Sequence, residues 1–392
     1  MIKLIKSTFY KEEDTKERLL EFLKDAKILS MHDYCRKTEE KFAKKQERKY
    51  AVFVSSGSTA NLALIQALLN IGKLKVGDKV AFSAVTWSTN VMPLIQLGLK
   101  PILVDCEISD LSVSVKTLKE AVAKEKGIKA LFLTHALGFS TKMDELCGFC
   151  DENNILLLED TCESLGSKYN HRRLGNFGLA STFSTYVGHH LSTIEGGFIC
   201  TDSDELHRML MMVRAHGWDR NLTFDQKMGL MREHDIDAFI SKYTFYDLGF
   251  NVRPMEIQGF IGNIQIDYWD EIVRIRRENF EFFFDAMKEN PDIISPDVSH
   301  MSLVSNFTVP LIFKSHELYL KYRDRYMVNN VEIRPIIAGN MAKQPFYKKY
   351  VTGASGISHK NSDYIHDNGF YFANNPELTD EERHILRTLL ER

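Results

Sequence analysis

The sequence has no long apolar run and no excess of charge of one sign. No stretch reaches the roughly 18 apolar residues of a membrane-spanning helix, and the N-terminus turns charged before a signal-peptide core can form. The 50 basic and 53 acidic residues are mixed along the chain and leave a net charge of −3. No basic field therefore exists to hold a nucleic-acid backbone or an anionic membrane surface. We expect a cytoplasmic protein with neither of these partners.

Cysteine is also scarce. The chain has 6 cysteines among 392 residues, and they are scattered without a secretion signal, which favours reduced thiols. Cys147 and Cys150 form a CxxC pair, but the surrounding segment has helical spacing. No second pair completes a tetrahedral site. The sequence therefore predicts no metal centre.

Short apolar or β-branched runs are present and alternate with amphipathic stretches through the first two-thirds of the chain. The runs cover residues 51–57, 79–85, 101–106, 130–135 and 155–160. Such alternation is typical of a mostly parallel sheet with helices on both faces, so we predict an α/β fold. The length favours two domains, and we predict a large α/β domain over 1–255 and a smaller α/β domain over 256–392.

In open α/β sheets a ligand lies beyond the carboxyl ends of the strands, where residues 55–61 read Ser-Ser-Gly-Ser-Thr-Ala-Asn. A helix that begins here offers unpaired N–H groups and positive partial charge. Gly57 lets the backbone approach a ligand, and Ser58 adds a hydroxyl donor. The segment suits a phosphate, although these residues alone favour an ordinary N-cap.

A very apolar run ends in acids at Glu159 and Asp160. A carboxylate at the end of a buried strand is costly unless a cation pairs with it, and a protonated pyridine nitrogen is such a partner. Asp160 is therefore a candidate contact for a pyridine ring. A capping aspartate at a strand-to-helix turn is the alternative.

The third segment, residues 182–197, reads TFSTYVGHHLSTIEGG. Together with the two segments above, it resembles the nucleotide-sugar aminotransferase family of fold-type I pyridoxal-phosphate (PLP) enzymes, over nearly the whole chain. The resemblance implies a large domain with a mostly parallel seven-stranded sheet, a smaller C-terminal α/β domain, and a homodimer with shared active sites. Counting back from Glu195 places the family's cofactor-binding lysine on His189, and no lysine occurs between Lys168 and Lys227.

A histidine can perform only one of the two tasks of that lysine. Lysine holds the cofactor covalently and also shuttles a proton, whereas imidazole, with an ordinary pKa near 6.5, is a general base but forms no stable link to the aldehyde. This chain most resembles the lysine-less 3-dehydratases of the family. The resemblance implies pyridoxamine phosphate (PMP) as the working cofactor, glutamate as the donor that regenerates it, and His189 as the base.

The substrate implied by the resemblance is a nucleotide-linked 4-keto-6-deoxy sugar, with GDP-4-keto-6-deoxymannose favoured, in dideoxysugar, O-antigen or capsule biosynthesis. The sequence leaves open the identity of the nucleotide and the choice between a hexose and a heptose.

By resemblance, four further residues contact the cofactor. Trp87 stacks on the pyridine ring, Glu163 lies near the ring hydroxyl, and Ser184 contacts the phosphate. Asn251, in Gly-Phe-Asn-Val-Arg-Pro, reaches across the dimer interface to the neighbour's phosphate. Simple apolar burial is the alternative for Trp87, and a domain-boundary turn is the alternative for Asn251.

Three residues are candidates for substrate binding. Arg334 suits a carboxylate or a diphosphate, since a guanidinium binds either in a bidentate way. Arg253 helps to shape the site, and His216 orients substrate or cofactor. A histidine at a helix end also commonly caps backbone carbonyls, and that alternative stays open for His216.

Other functions fit the sequence less well. An iron–sulfur-assisted 3-dehydratase also has a histidine pair in place of the lysine, but it needs a cysteine cluster, and none follows Cys200. An ordinary aminotransferase would need another lysine in the site. A non-catalytic, PLP-binding regulatory homologue could also have lost the lysine, but here the residues for the phosphate, the pyridine and the interface accompany a titratable base.

Overall fold

A computed structural model describes residues 1–351 and 359–392 of the chain. The strands of this part, in chain order, are β1 (Tyr50–Val54), β2 (Lys79–Ser83), β3 (Lys100–Val104), β4 (Ile128–Thr134), β5 (Leu156–Asp160), β6 (Lys168–Tyr169), β7 (Arg172–Arg173), β8 (Ala180–Ser184), β9 (Gly197–Thr201), β10 (Met301–Leu303), β11 (Thr308–Ile312), β12 (Arg334–Pro335) and β13 (Gly369–Ala373). The helices are α1 (Glu12–Asp25), α2 (Asp33–Gln46), α3 (Gly57–Asn70), α4 (Met92–Gln96), α5 (Val115–Lys124), α6 (Met143–Glu152), α7 (Asp204–Val213), α8 (Phe224–Glu233), α9 (Glu256–Gln265), α10 (Trp269–Glu289), α11 (His316–Val328), α12 (Pro345–Tyr350), α13 (Lys360–Asn368) and α14 (Asp380–Leu390).

The large sheet has seven strands in the order β1-β9-β8-β5-β4-β2-β3. Neighbours run parallel except that β9 is antiparallel to both β1 and β8. Helices cover both faces, so the central strands read as continuous apolar runs rather than as an alternating pattern. Each apolar run of the first two-thirds of the sequence forms a strand of this sheet, which confirms the α/β prediction.

Helix α3 begins directly after β1 because the local sequence supplies a capping box. The Thr59 N–H donates to the Ser56 side chain, and the Ser56 N–H donates to the Thr59 hydroxyl at 2.9 Å. These reciprocal bonds fix the first turn of α3, which packs against β8 and β9. The start of the helix is thereby held at the sheet edge where β5 and β8 end.

The C-terminal part builds a second sheet in the order β11-β13-β12. Aromatic side chains from α10, α11 and β13 form its core, among them Phe283, Tyr322 and Phe372. The N-terminal residues join this unit, because Ile2 pairs with Val331 in a parallel bridge. The division at residues 255 and 256 stays a prediction, but residues from both ends of the chain contribute to the smaller unit.

Helix α6 contains Cys147 and Cys150, in agreement with the predicted helical spacing. Among residues 1–351 and 359–392, no group of three or more His, Cys, Asp or Glu side chains is arranged to hold a metal ion. Within the same ranges, no helix combines the length and the apolar character needed to cross a membrane.

Candidate active site

A cavity of about 470 Å³ opens beyond the carboxyl ends of the central strands. Its walls contain eight of the eleven site residues predicted from the sequence, namely Gly57, Ser58, Trp87, Asp160, Glu163, Ser184, His189 and Arg334. These residues come from widely separated segments of both sheets. The fold therefore brings together the predicted phosphate, pyridine and base residues in one place.

The first turn of α3 forms one end of this cavity. Gly57 lies so close to β8 that a Cβ atom added there would be 2.7 Å from Cβ of Ser184. On the other side, a Cβ atom on Gly197 would be 2.6 Å from the Gly57 nitrogen. The N–H groups of Gly57 and Ser58 have no acceptor within the helix, because they belong to its first turn. With the Ser58 and Ser184 hydroxyls, they form a cradle that fits a phosphate.

Asp160 occupies the floor of the cavity at the end of β5. Its Oδ2 accepts hydrogen bonds from Nδ2 of Asn90 at 2.8 Å and from Nδ2 of Asn61 at 3.1 Å, and its Oδ1 accepts one from the Cys162 N–H at 3.0 Å. All three donors are neutral, and no cationic side chain of the described ranges pairs with this buried carboxylate. The site therefore fits a protonated pyridine nitrogen as the missing counter-charge.

Asn61 and Asn90 were not predicted as site residues. Asn61 lies one helical turn after Gly57, so it shares the face of α3 that looks into the cavity, and this spacing is visible in the sequence. Asn90 comes from a short turn after β2, and the sequence carries no comparable signal for it.

Trp87 lies on the cavity wall with 52% of its surface exposed. The side chain is therefore not buried in the core, and one face of its indole is accessible to a planar ring. This placement favours the stacking role over the alternative of apolar burial.

The imidazole of His189 projects into the cavity from the segment between β8 and β9. Its ring centroid lies 5.3 Å from that of Phe307, and its buried Nδ1 has no hydrogen-bond partner among the residues that the structure describes. Removal of the ring from water lowers the pKa of His189 to about 4; the Asp160 carboxylate opposes this shift, and the Arg276 guanidinium adds to it. The imidazole is therefore neutral near pH 7 and able to accept a proton.

Glu163 is buried beside Asp160, with its Oε2 accepting the Leu137 N–H at 2.7 Å. Burial raises the pKa of Glu163 to about 8; the Leu137 bond opposes this, and the nearby Asp160 charge adds to it. The side chain is thus largely protonated at neutral pH. The protonated carboxyl can donate a hydrogen bond, which fits the predicted place of Glu163 near the ring hydroxyl.

Glu159, the other acid at the end of β5, points away from the cavity. It is fully buried, its oxygens accept the N–H groups of Gly175, Phe177 and Gly178, and its Oε2 lies 2.8 Å from Nε2 of His135. Burial alone would raise the pKa of Glu159, but these bonds and His135 outweigh it and the pKa is lowered. Glu159 therefore anchors the loop before β8 and leaves the cavity to Asp160.

The opposite wall joins Arg334 to the N-terminus of the chain. Nη2 of Arg334 donates to Oε1 of Glu332 at 2.6 Å, and Oε2 of Glu332 accepts the Leu4 N–H at 3.0 Å. This places Leu4 and Ile5 on the cavity wall. No motif in the sequence indicates their role, since the N-terminal residues reach the site through their pairing with the smaller unit.

The remaining predicted residues, Asn251, Arg253 and His216, are not among those that line this cavity. Nε of Arg253 donates to Oδ1 of Asn251 at 3.0 Å on the surface. Their loop nevertheless runs beside the cradle, because the Ser55 N–H donates to the Val252 carbonyl at 2.9 Å. His216 is exposed nearby. All three therefore face outward next to the site.

Residues 10–390 match the DegT/DnrJ/EryC1/StrS aminotransferase family. The GDP-4-keto-6-deoxy-D-mannose 3-dehydratase of Escherichia coli O55:H7 is 36% identical over 383 residues, which cover 96% of this chain and 97% of that protein. A crystal structure of GDP-4-keto-6-deoxymannose-3-dehydratase with a trapped PLP-glutamate geminal diamine superposes with a TM-score of 0.88, at 33% identity and with all of both chains covered. A histidine-to-asparagine mutant of that enzyme with bound GDP-perosamine has a TM-score of 0.89, again at 33% identity and with all of both chains covered.

Proposed function

Because the chain belongs to the DegT/DnrJ/EryC1/StrS aminotransferase family, we propose that it is a PLP/PMP-dependent 3-dehydratase that removes the C3 hydroxyl of GDP-4-keto-6-deoxymannose. Glutamate is the proposed amino donor, and dideoxysugar formation for an O-antigen or capsule is the proposed setting. The family and its α/β fold, both predicted from the sequence, are confirmed. The observation that carries the proposal is a neutral His189, in place of the family's lysine, beside an intact cofactor cradle.

The described residues hold the cofactor without a covalent bond. Gly57, Ser58 and Ser184 bind the phosphate, Asp160 pairs with the pyridine nitrogen, and Trp87 covers one face of the ring. When bound, the cofactor supplies the amine that links to the sugar's keto carbon and a ring that accepts the electrons released at C4′. Asn61 and Asn90 hold the Asp160 carboxylate in place by hydrogen bonds. The negative charge of Asp160 then favours the protonated form of the ring nitrogen.

His189 moves the proton that drives the reaction. Its neutral imidazole accepts the proton from C4′ of the cofactor and, as imidazolium, returns it to the departing C3 hydroxyl, which leaves as water. Overall, PMP and the keto sugar yield PLP, ammonia and a 4-keto-3,6-dideoxy sugar. The two electrons that reduce the sugar come from the oxidation of PMP to PLP, and glutamate restores PMP.

Glu163 and Arg334 complete the site from opposite walls. The protonated Glu163 donates toward the ring hydroxyl while Leu137 holds its other oxygen. Arg334 is exposed within the cavity, and among the residues that the structure describes it pairs with one carboxylate, that of Glu332. Its fork is thus suited to the carboxylate of glutamate or to the diphosphate of the substrate.

A homodimer with shared active sites accounts for the outward-facing residues. Asn251 is exposed beside the cradle, so in this arrangement it serves the partner's phosphate, with Arg253 and His216 beside it. The neighbouring segment exposes large apolar side chains, including 79% of Tyr243 and 70% of Leu248. Exposed apolar side chains of this size mark protein contacts.

Subunit complementation tests the shared site. His189→Asn and Asn251→Asp should each inactivate the homodimer, but a mixed dimer contains one site with both native residues. Random pairing of the two variants makes about half of all dimers mixed, and each mixed dimer has one native site out of two. We therefore expect about one quarter of the native activity after co-expression. Absence of recovery in mixed dimers that are isolated through a different affinity tag on each variant would place each site within a single chain.

The GDP assignment draws on the GDP-sugar bound by the related enzyme. A panel of GDP-, CDP-, dTDP- and UDP-linked 4-keto sugars, hexose and heptose, tests it directly, and we expect the highest kcat/KM for GDP-4-keto-6-deoxymannose. We also propose a cytoplasmic location, because the six free cysteines suit a reducing compartment.

The proposed reaction is tested by incubating the protein with PLP, glutamate and GDP-4-keto-6-deoxymannose. We expect one ammonia for each sugar that loses an oxygen, measured by mass spectrometry. His189→Asn should bind PMP but form no product, whereas His171→Asn, an exposed turn histidine, should behave as the native protein. An unchanged rate in the His189 variant would contradict the proposed base.

A further inference from the structure

Arg276 is a buried cation on α10, one layer behind the cavity wall. Only 3% of its surface is exposed, and no carboxylate of residues 1–351 or 359–392 lies within ion-pair distance of it. Burial lowers the pKa of Arg276 to about 9. A buried guanidinium without a counter-ion is costly for a fold, so its retention calls for a reason other than charge pairing.

The guanidinium binds three backbone carbonyls instead. Nη1 donates to the carbonyl of Phe307 at 2.9 Å and to that of Asn374, and Nη2 donates to the carbonyl of His189 at 3.2 Å. Nδ2 of Asn374 in turn donates to the Arg276 carbonyl at 2.9 Å. The three carbonyls belong to the segment between β8 and β9, the entry to β11 and the exit from β13, so one side chain ties three separate segments together.

Two of these three segments carry cavity residues that contact each other. His189 and Phe307 both line the cavity, and their rings lie 5.3 Å apart at 40°. The Arg276 guanidinium therefore holds the backbone of both His189, the proposed base, and Phe307, whose ring contacts the imidazole. The next residue, His190, adds a second anchor, because its Nε2 lies 3.0 Å from Oγ of Ser305.

The charge of Arg276 also acts on the imidazole. Several groups lie around the His189 ring: Asp160 and the Cys162 backbone from the end of β5, Arg276 from α10, and Tyr186 and His190 from its own segment. Burial is the main cause of its lowered pKa, the Asp160 charge and a hydrogen bond with the Cys162 backbone oppose it, and Arg276 reinforces it. A positive charge behind the backbone therefore favours the neutral, proton-accepting ring.

We propose that Arg276 is a positioning residue for the proposed base, whose planar fork holds the carbonyls of His189 and Phe307 so that the imidazole faces the cavity in one orientation. The inference rests on the proposed function of His189. A lysine at position 276 would retain the positive charge, but its single ammonium group could not replace the planar set of N–H donors of the guanidinium. The two contributions of Arg276, geometry and charge, can thus be separated by substitution.

The test compares Arg276→Lys and Arg276→Met with the same changes at Arg277, the adjacent exposed residue that pairs with Glu281. We expect Arg276→Lys to lower kcat by about 10- to 100-fold, because a base displaced by about 1 Å loses that much, while PMP affinity changes by less than about 2-fold. In Arg276→Met the acid limb of kcat/KM should also move to higher pH. The Arg277 variants should match the native protein in every measurement.

A second readout needs no turnover. Nitrogen NMR of the cofactor-free protein, with the His189 signal assigned by its loss in His189→Asn, should show a ring that is neutral down to about pH 5 in the native protein and that charges at higher pH in Arg276→Met. If Arg276→Met does not fold, the kcat of Arg276→Lys is the deciding measurement. A kcat equal to that of the native protein would overturn the inference. Equal losses of kcat and PMP affinity, or an unchanged His189 titration, would also overturn it. If the native protein forms no 3-deoxy sugar, the proposed function fails, and the titration still tests the link between Arg276 and His189.

Discussion

Replacing Gly57 by alanine tests the phosphate cradle. Gly57 begins α3 with ordinary helical backbone angles, so alanine is acceptable there and only space decides the outcome. The new Cβ would lie 2.7 Å from Cβ and 3.1 Å from Oγ of Ser184. Strand β8 is hydrogen-bonded on both sides, by β5 and β9, so Ser184 cannot retreat easily and the start of α3 must move.

The expected magnitudes differ for stability and for binding. Overpacking costs about 1–3 kcal/mol, which the helix preference of alanine over glycine offsets by about 0.5–1 kcal/mol. The cofactor-free protein should therefore lose about 0–2.5 kcal/mol of unfolding free energy. A shifted cradle loses at least one hydrogen bond to a charged phosphate, worth about 1.5–3 kcal/mol, so PMP should bind about 10- to 100-fold more weakly.

PMP affinity is measured by calorimetry, and stability by urea unfolding of the cofactor-free protein. Gly148→Ala in α6 is the matched control, because a Cβ atom added there meets nothing within 4 Å. It should gain about 0.5–1 kcal/mol of stability and leave PMP affinity unchanged. A folded Gly57→Ala protein that binds PMP as tightly as the native protein would refute the cradle.

Three further substitutions test the floor of the cavity and its base. Folding raises the pKa of Glu163 to about 8, so the native fold favours the protonated carboxyl. The contribution of Glu163 to the unfolding free energy is therefore present at low pH and is lost as the pH rises toward about 8. Glu163→Gln should therefore match the native cofactor-free protein near pH 4 but exceed its unfolding free energy near pH 8 by on the order of 1–3 kcal/mol, as urea unfolding at both pH values would show. His189→Lys should retain PLP through dialysis and borohydride reduction and should lose dehydration; PLP that dialyses away would mean that residue 189 does not reach the cofactor aldehyde. Asp160→Asn should weaken PMP binding by about 10-fold or more, because its amide oxygen still accepts from Asn61 and Asn90 while the ring nitrogen loses its counter-charge; the amide nitrogen then faces the Cys162 N–H, which should cost the cofactor-free protein about 1–3 kcal/mol, and unaltered affinity would exclude the pyridine contact.

Much of the site could be predicted from the sequence because parallel strands end at one edge of the sheet. Gly57, Ser58 and Asp160 directly follow or end their strands, so their convergence needs only the strand assignment. The position of the family's lysine could be located at His189 by counting back from Glu195. These features depend on local order along the chain, which the sequence displays.

The rest depends on packing between distant segments. The contact of Arg276 with the His189 carbonyl joins residues 87 positions apart, and Leu4 reaches the wall only by its bond to Glu332. No periodicity or motif marks either residue. The protonation of Glu163 likewise follows from its burial, which a list of charged residues does not reveal.

The fate of the amino nitrogen distinguishes dehydration of the sugar from transfer of an amino group to it. The protein is supplied with PLP, GDP-4-keto-6-deoxymannose and glutamate that carries an isotopic label on its amino nitrogen, and ammonium and sugar are analysed separately by mass spectrometry. With His189 as a base and no lysine among the described residues that line the cavity, the label should appear in free ammonium, one for each sugar that has lost its C3 oxygen. Label retained in an amino sugar that keeps the C3 oxygen would show an aminotransferase and contradict the proposed dehydration.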